Sequence, residues 1–190
     1  MIMNERYLRH IQLSQVGSAG QEKIRKSKLL VVGAGGLGCP ALQYLVAAGV
    51  GTIGIMDSDL ISVSNLHRQI IFNEEDLGEN KALCAKEHLQ TLNSEVKINA
   101  FPFDLTHENA KKYFDDYDIV LDGTDNFYTR YLISDQCILS NKVMIYGAIH
   151  KFEGQISVFN YQNGPSYRCL FPIAPKIGEI QNCTDLGVLG

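Results

Sequence analysis

The run KLLVVGAGGLGCP at residues 28–40 constrains the fold more than any other stretch of this chain. Lys28–Val32 is apolar, too short for a helix, and closed at once by glycines, the pattern of a strand buried on both faces of a parallel sheet. Gly33, Gly35 and Gly38 supply the spacing G-x-G-x-x-G, and ALQYLVAAG then carries an apolar helical stripe that ends at Gly49. Pro40 falls where the first turn of a helix tolerates it. A strand, a tight glycine turn and a helix in this order bring free backbone N–H groups close to a phosphate. Asp57 stands 19 residues past Gly38, at the end of the next apolar run, where an acid accepts hydrogen bonds from ribose hydroxyls. Residues 29–57 therefore read as a nucleotide-binding unit rather than a purely structural glycine turn.

The alternation continues to about residue 161. Helices are predicted at 4–13, 20–26, Lys81–Leu92, 107–114 and Phe127–Leu139. Strands are predicted at Thr52–Met56, 96–103, 119–121 and 143–147, with an antiparallel addition at 155–161, where QISVFNY alternates with period two. Strands alternating with helices of this length imply right-handed crossovers and a doubly wound α/β sheet of Rossmann-like type, mostly parallel, preceded by N-terminal helices. A single domain over 1–190 is expected, with its core at 28–161. Residues 162–190, broken by Gly and Pro, are expected to form an irregular crossover-type loop, and the C-terminal helix and strands of such a domain to be missing from the sequence.

Composition narrows the function classes. Net charge is −4 with no Lys- or Arg-rich run, so the electrostatic footprint of a nucleic-acid binder is missing. The 5 cysteines are odd in number, widely spaced and without C-x-x-C, which argues for a reducing compartment. Apolar stretches fall far short of a membrane span, and MIMNERYLRHIQL has no apolar signal segment. A cytoplasmic protein with no membrane and no nucleic-acid partner is expected.

The glycine fingerprint defaults to NAD or FAD. Against that stands the cationic segment SNLHR at 64–68, followed by Lys81 at the start of a helix. Arg68 and Lys81 either offset a triphosphate and its departing pyrophosphate, a task absent from hydride transfer, or are solvated surface cations. In LDGTDN, Asp122 and Asp125 follow a strand and so reach the sheet's carboxyl edge. A carboxylate there suits Mg²⁺ beside polyphosphate, while Asp125 or Asn126 also suits a helix cap. There is no G-x-x-x-x-G-K-[ST], so this is not a P-loop enzyme.

Seven segments in order carry a resemblance: RYLRHIQL (6–13), VVGAGGLGCPALQYLVAAGVG (31–51), DSDLISVSNLHRQ (57–69), GENKA (78–82), LDGTDNFYTR (121–130), GPSYRCLFP (164–172) and NCTDLGVLG (182–190). Together they resemble the ThiF/MoeB/HesA family, bacterial relatives of ubiquitin-activating enzymes. The resemblance implies ATP- and Mg²⁺-dependent adenylation of the C-terminal glycine of a ubiquitin-like sulfur carrier ending in Gly-Gly, in thiamin or molybdopterin biosynthesis. It implies that Gly36 lies under the nucleotide and Asp57 holds the ribose. Asn65 and Arg68 would meet the phosphates, Lys81 neutralise them, and Asp125 orient Mg²⁺. Gly33, Gly35, Gly38, Ser64, Leu66, His67 and Asn126 complete the expected nucleotide contacts, His67 without a chemical role. Arg9 resembles an arginine that reaches the partner subunit's site, which implies a homodimer. Cys183 matches a cysteine that is covalently acylated in some members and unused in others. Ser166 stands where many relatives have the first cysteine of a zinc pair that includes Cys169, so zinc is not expected. Rival readings are a same-fold enzyme activating a peptide or tRNA, and a truncated non-catalytic paralogue. An NAD-binding oxidoreductase is a third rival, disfavoured by the downstream cations.

Overall fold

In the computed structural model, which describes residues 5–175, the apolar runs lie side by side in one six-stranded sheet. The strands are β1 (Lys28–Val32), β2 (Thr52–Met56), β3 (Lys97–Phe101), β4 (Ile119–Asp122), β5 (Val143–His150) and β6 (Glu153–Phe159). Their order is β3-β2-β1-β4-β5-β6. All neighbouring pairs are parallel except β5 with β6, which form an antiparallel hairpin. Short helices α1 (Leu8–Ile11) and α2 (Gly17–Lys26) precede the sheet. The crossovers carry α3 (Gly38–Ala47), α4 (Lys81–Leu92), α5 (His107–Asp115) and α6 (Phe127–Leu139). This is the doubly wound α/β fold expected from the alternation.

Strand register decides where a ligand can sit. Val32 pairs with both Met56 and Asp122, so β1, β2 and β4 end at one level. The chain winds outward in opposite directions from β1 and β4, and ligands of open α/β sheets bind at that reversal, beyond the carboxyl ends of the strands. Side chains alternate across the sheet, which gives two apolar layers. Val31, Leu42, Ile53, Ile55 and Leu89 pack on one side, and Leu30, Phe114, Val120, Ile133 and Met144 on the other. Each such burial contributes about 1.5–3 kcal/mol.

The differences from the sequence reading have local causes. Strand β5 runs to His150 rather than 147 because its last residues pair with β6, His150 opposite Glu153. Strand β3 stops at Phe101, where Phe101 and Phe103 pack their rings at a tilt against Tyr113, at centroid distances of 4.7 and 5.5 Å. Helix α2 begins at Gly17, whose φ of 57° starts the turn earlier than position 20. One further difference falls within the expected irregular segment, of which residues 162–175 are described. Tyr167–Leu170 forms one helical turn (α7), and Tyr167, 2% exposed, inserts among Tyr131, Tyr146 and Phe159. Tyr131 Oη donates to the carbonyls of Phe171 (2.8 Å) and Ile173 (3.1 Å), so this segment is held by an aromatic anchor.

Candidate active site

The glycine turn is built around close backbone contacts. Gly33 has φ 94°, and a side chain there would meet the Gly123 carbonyl oxygen at 2.8 Å. A Cβ on Gly38 would lie 1.9 Å from the Gly33 carbonyl oxygen, so only glycine lets α3 start directly against β1. Ala34 N–H donates to Asp57 Oδ2 at 2.7 Å and Asp59 N–H to Oδ1 at 2.9 Å. The carboxylate is thereby fixed against the turn at the end of β2. Burial pushes the Asp57 carboxyl above its ordinary range, while the Lys81 charge and the two N–H groups pull the other way.

Beyond these strand ends opens a cleft of about 1360 Å³ lined by Gly33, Gly35, Gly36, Asp57, Lys81 and Asp125, among others. Ser64, Asn65, His67, Arg68 and Asn126 also line it. Residues 62–66 wrap as a capped 3₁₀ turn, with Asn65 Oδ1 accepting from Ser62 N–H at 3.4 Å. This turn delivers Arg68, whose Nη1 donates to the Ser64 carbonyl at 2.8 Å. A Cβ on Gly36 would stand 3.2 Å from Arg68 Cδ, so the bare glycine gives the arginine stem room to lie against the loop.

Lys81 is placed from the other side. Asn80 caps α4, accepting from Ala82 and Leu83 N–H at 3.0 and 3.2 Å. Its Nδ2 donates to the carbonyls of Asp57 and Asp59, which ties the helix start to the end of β2. Lys81 Nζ meets Asp59 Oδ2 at 2.7 Å, with the lysine side chain 6% exposed and the aspartate 68%. A buried ammonium whose counterion faces solvent is ready to exchange that partner for a polyphosphate.

The two aspartates after β4 part company. Asp125 is exposed on the cleft, and Asn126 beside it caps α6 by accepting from Thr129 N–H at 2.8 Å. Asp122 has no exposed surface and pairs with Arg130 Nε at 3.2 Å, its other oxygen accepting from the hydroxyl and N–H of Thr124. Burial raises the Asp122 carboxyl against the pull of Arg130. Asp122 therefore does not offer a free ligand at the sheet edge. It fixes Arg130, whose guanidinium lies over Tyr146 (5.0 Å) and Phe127 (5.4 Å) in the cleft wall.

Three other expected residues are not among those lining this cleft. The Leu66 side chain packs on the apolar layer of α3 and α4 and is not among the residues lining the cleft. Arg9 is exposed on α1 and donates to Gln12 Oε1 at 3.4 Å, so it is not among the described residues lining this chain's cleft. Cys183 lies outside the described residues. Cys169 is exposed, with its sulfur 3.5 Å from Ser166 Oγ, and that hydrogen bond holds its thiol below the ordinary range. Sequence reasoning missed Gln69, Asp59 and Arg130. Gln69 lines the cleft while buried, and its Oε1 has no protein partner. The signal for all three was adjacency to recognised segments, within DSD, SNLHRQ and TDNFYTR.

Fold and site together define an α/β protein of nucleotide-binding type, with Arg68 and Lys81 in a cleft at the sheet's reversal point. The chain belongs to the ThiF family, whose model matches residues 7–190, and with its relatives falls among ATP-dependent adenylyltransferases. It is 49% identical over 191 residues to the sulfur carrier protein adenylyltransferase of Thermus thermophilus, covering 98% of this chain and 70% of that protein. It is 48% identical over 185 residues to the adenylyltransferase and sulfurtransferase MOCS3 of Anopheles gambiae, covering 97% of this chain but only 42% of that protein. Among solved structures, E. coli MccB with MccA-N7isoASN superposes with a TM-score of 0.76 at 25% identity, over 87% of this chain and 50% of that one. The ATP complex of the E. coli tRNA N6-threonylcarbamoyladenosine dehydratase TcdA shares the fold, with a TM-score of 0.72 at 24% identity, over 77% of this chain and 60% of that one.

Proposed function

We propose that this chain adenylates the C-terminal glycine of a ubiquitin-like sulfur carrier protein ending in Gly-Gly, in thiamin or molybdopterin sulfur transfer in the cytoplasm. The observation that carries the reading is the convergence of the glycine turn, Asp57, Arg68, Lys81 and Asp125 on one cleft. A dinucleotide site for hydride transfer needs the first two and has no use for the rest.

In this reading the carrier's carboxylate oxygen attacks the α-phosphorus of ATP. The new bond joins that oxygen to phosphorus, and the bond to the bridging oxygen breaks with its electron pair leaving on pyrophosphate. The attacking carboxylate is already ionised at neutral pH, so no general base is needed. The obstacle is charge: an anion approaches a polyanion. Lys81 and Arg68, which both line the cleft, offset it, while Asp57 and the glycine turn fix ribose and phosphate in line. Asp125, an exposed carboxylate on the cleft, fits Mg²⁺, which takes few protein carboxylates and completes its shell with phosphate and water. Bound there, the ion adds charge neutralisation.

Arg9 is assigned to the cleft of a second copy, making the working unit a homodimer. Its place outside its own cleft supports that assignment. Cys183 is assigned as the thiol that receives the activated carrier.

ATP–pyrophosphate exchange, measured with each Gly-Gly-ending carrier of the same genome, tests the reading. Carrier-dependent exchange is expected. ATP binding without exchange on any carrier refutes it and favours a peptide or tRNA substrate, or a non-catalytic paralogue.

A further inference from the structure

Helix α4 carries a second group of reactive side chains that does not line the cleft. Cys84 and His88 are four residues apart and so share one face of the helix. Opposite them lies Asp76, which closes the 3₁₀ turn Glu74–Asp76. His88 Nε2 is 3.0 Å from Asp76 Oδ1, and one ligand atom from each of the three residues lies within 4.8 Å of the others. Among the described residues this is the one group of three His, Cys, Asp or Glu side chains so placed.

The spacing matches a metal better than a plain ion pair requires. A tetrahedral ion with bonds of about 2.0–2.3 Å holds its ligand atoms roughly 3.3–3.8 Å apart, so the 3.0 Å His88–Asp76 pair need widen only slightly and no separation, all being within 4.8 Å, need close by more than about 1.5 Å. Supports are already in place. Asp76 Oδ2 accepts from Asn73 N–H at 2.8 Å, which orients the carboxylate and leaves Oδ1 on His88 Nε2. Asn73 is itself held by accepting from Glu75 N–H at 2.8 Å. Cys84 is buried on a regular helix, and the His88 side chain, 38% exposed, leaves one side open to water. A mixed sulfur, nitrogen and oxygen set selects zinc-like ions over Mg²⁺ or Ca²⁺, which prefer oxygen alone.

We propose that Asp76, Cys84 and His88 form a three-ligand site for a zinc-class divalent cation, with its fourth position open to solvent. The ion cross-links the 3₁₀ turn to the body of α4, the helix whose first residue is Lys81. It is distinct from Mg²⁺ at Asp125, and its existence does not depend on which carrier is adenylated.

Cobalt titration of the chelator-treated full chain tests this. One equivalent of Co²⁺ is expected to give a thiolate-to-cobalt charge-transfer band and tetrahedral visible bands, both erased by Zn²⁺. Cys84→Ser is expected to abolish the charge-transfer band. His88→Gln, a change at a half-exposed side chain that spares the core, is expected to weaken Co²⁺ binding by at least about a hundredfold, beyond the tenfold to hundredfold typical of lost outer-shell partners. Cys169→Ser with Cys183→Ser is expected to leave the spectrum intact. Zn²⁺ is also expected to raise the unfolding temperature of the native chain and not of His88→Gln. The proposal is overturned if no thiolate band appears at stoichiometric Co²⁺. It is equally overturned if the band survives both Cys84→Ser and His88→Gln, or vanishes only in the Cys169/Cys183 variant.

Discussion

Replacing Gly38 by alanine isolates the backbone contact on which the site is built. The added Cβ would lie 1.9 Å from the Gly33 carbonyl oxygen and 2.9 Å from its carbon. Both are main-chain atoms, so no rotamer change relieves the overlap. The first turn of α3 must move away from the end of β1 by more than an ångström. It cannot slide sideways, because Gly123 packs on the same pair: a Cβ there would be 3.2 Å from the Gly33 oxygen and 3.3 Å from the Gly38 nitrogen. Overpacking among side chains costs about 1–3 kcal/mol, and a backbone clash belongs at the top of that range or above. At about 2–4 °C per kcal/mol for a chain of this length, Gly38→Ala should lower the unfolding temperature by roughly 6–12 °C. Gly35→Ala is the matched control. Its Cβ finds only Gln69 Nε2, at 3.8 Å, and Gly35 lines the cleft. It should match native stability or exceed it by up to about 1 kcal/mol through reduced unfolded-state freedom, while binding ATP less tightly. Thermal unfolding by circular dichroism without nucleotide, paired with nucleotide titration, reads both. Equal unfolding temperatures for the two variants would show that the stacked glycines do not hold α3 on β1.

Arg130→Met leaves Asp122 buried without its cation and should cost about 3–5 kcal/mol. Burial already raises this carboxyl, and losing Arg130 raises it further. Such a group favours the fold while protonated, so the deficit should be smallest below pH 4 and should grow as pH climbs through the raised folded value; a deficit that shrinks as pH rises contradicts this. Burial pushes the Cys39, Cys84 and Cys137 thiols up to about 12, whereas the Cys169 thiol lies below its ordinary range and is exposed. Iodoacetamide at pH 7.5 followed by peptide mapping should therefore label Cys169 before those three, and first labelling of any of them would refute the ranking. Lys81→Met should cut pyrophosphate exchange by about 10²–10³ with ATP affinity reduced far less, the behaviour of a group that acts chiefly on the transition state. Mixed dimers of Lys81→Met with Arg9→Ala should recover exchange that neither variant has alone; a mixture as inactive as its components excludes Arg9 acting across the dimer.

What the sequence disclosed, and what it hid, follows from the range of the interactions involved. The glycine turn and Asp57 were legible because both are local: a strand of five residues, a turn that only glycine can make, and an acid at the next strand end. The cations were legible as residues but not as geometry. Nothing in SNLHR says that Arg68 lies against Gly36, 32 positions earlier, since that contact needs β1, β2 and the capped turn at 62–66 in place together. Asp122 and Asp125 look equivalent in LDGTDN, yet the strand continues through Asp122 and takes it inside, where register with Val32 leaves it no exposed surface. Arg130 was hidden for the reciprocal reason: a lone arginine in a helix pattern reads as solvent-facing unless its buried acid, eight residues away, is already known to be buried. The helical turn Tyr167–Leu170 was not legible because one large aromatic, Tyr167, outweighs the prolines and glycines around it. Burying its ring among Tyr131, Tyr146 and Phe159 is worth more than propensity can signal in a four-residue helix. The same logic bears on Asp76, Cys84 and His88. Two are at helical spacing and readable as a pair, but the third arrives from a turn whose approach to α4 is fixed only by the packed sheet.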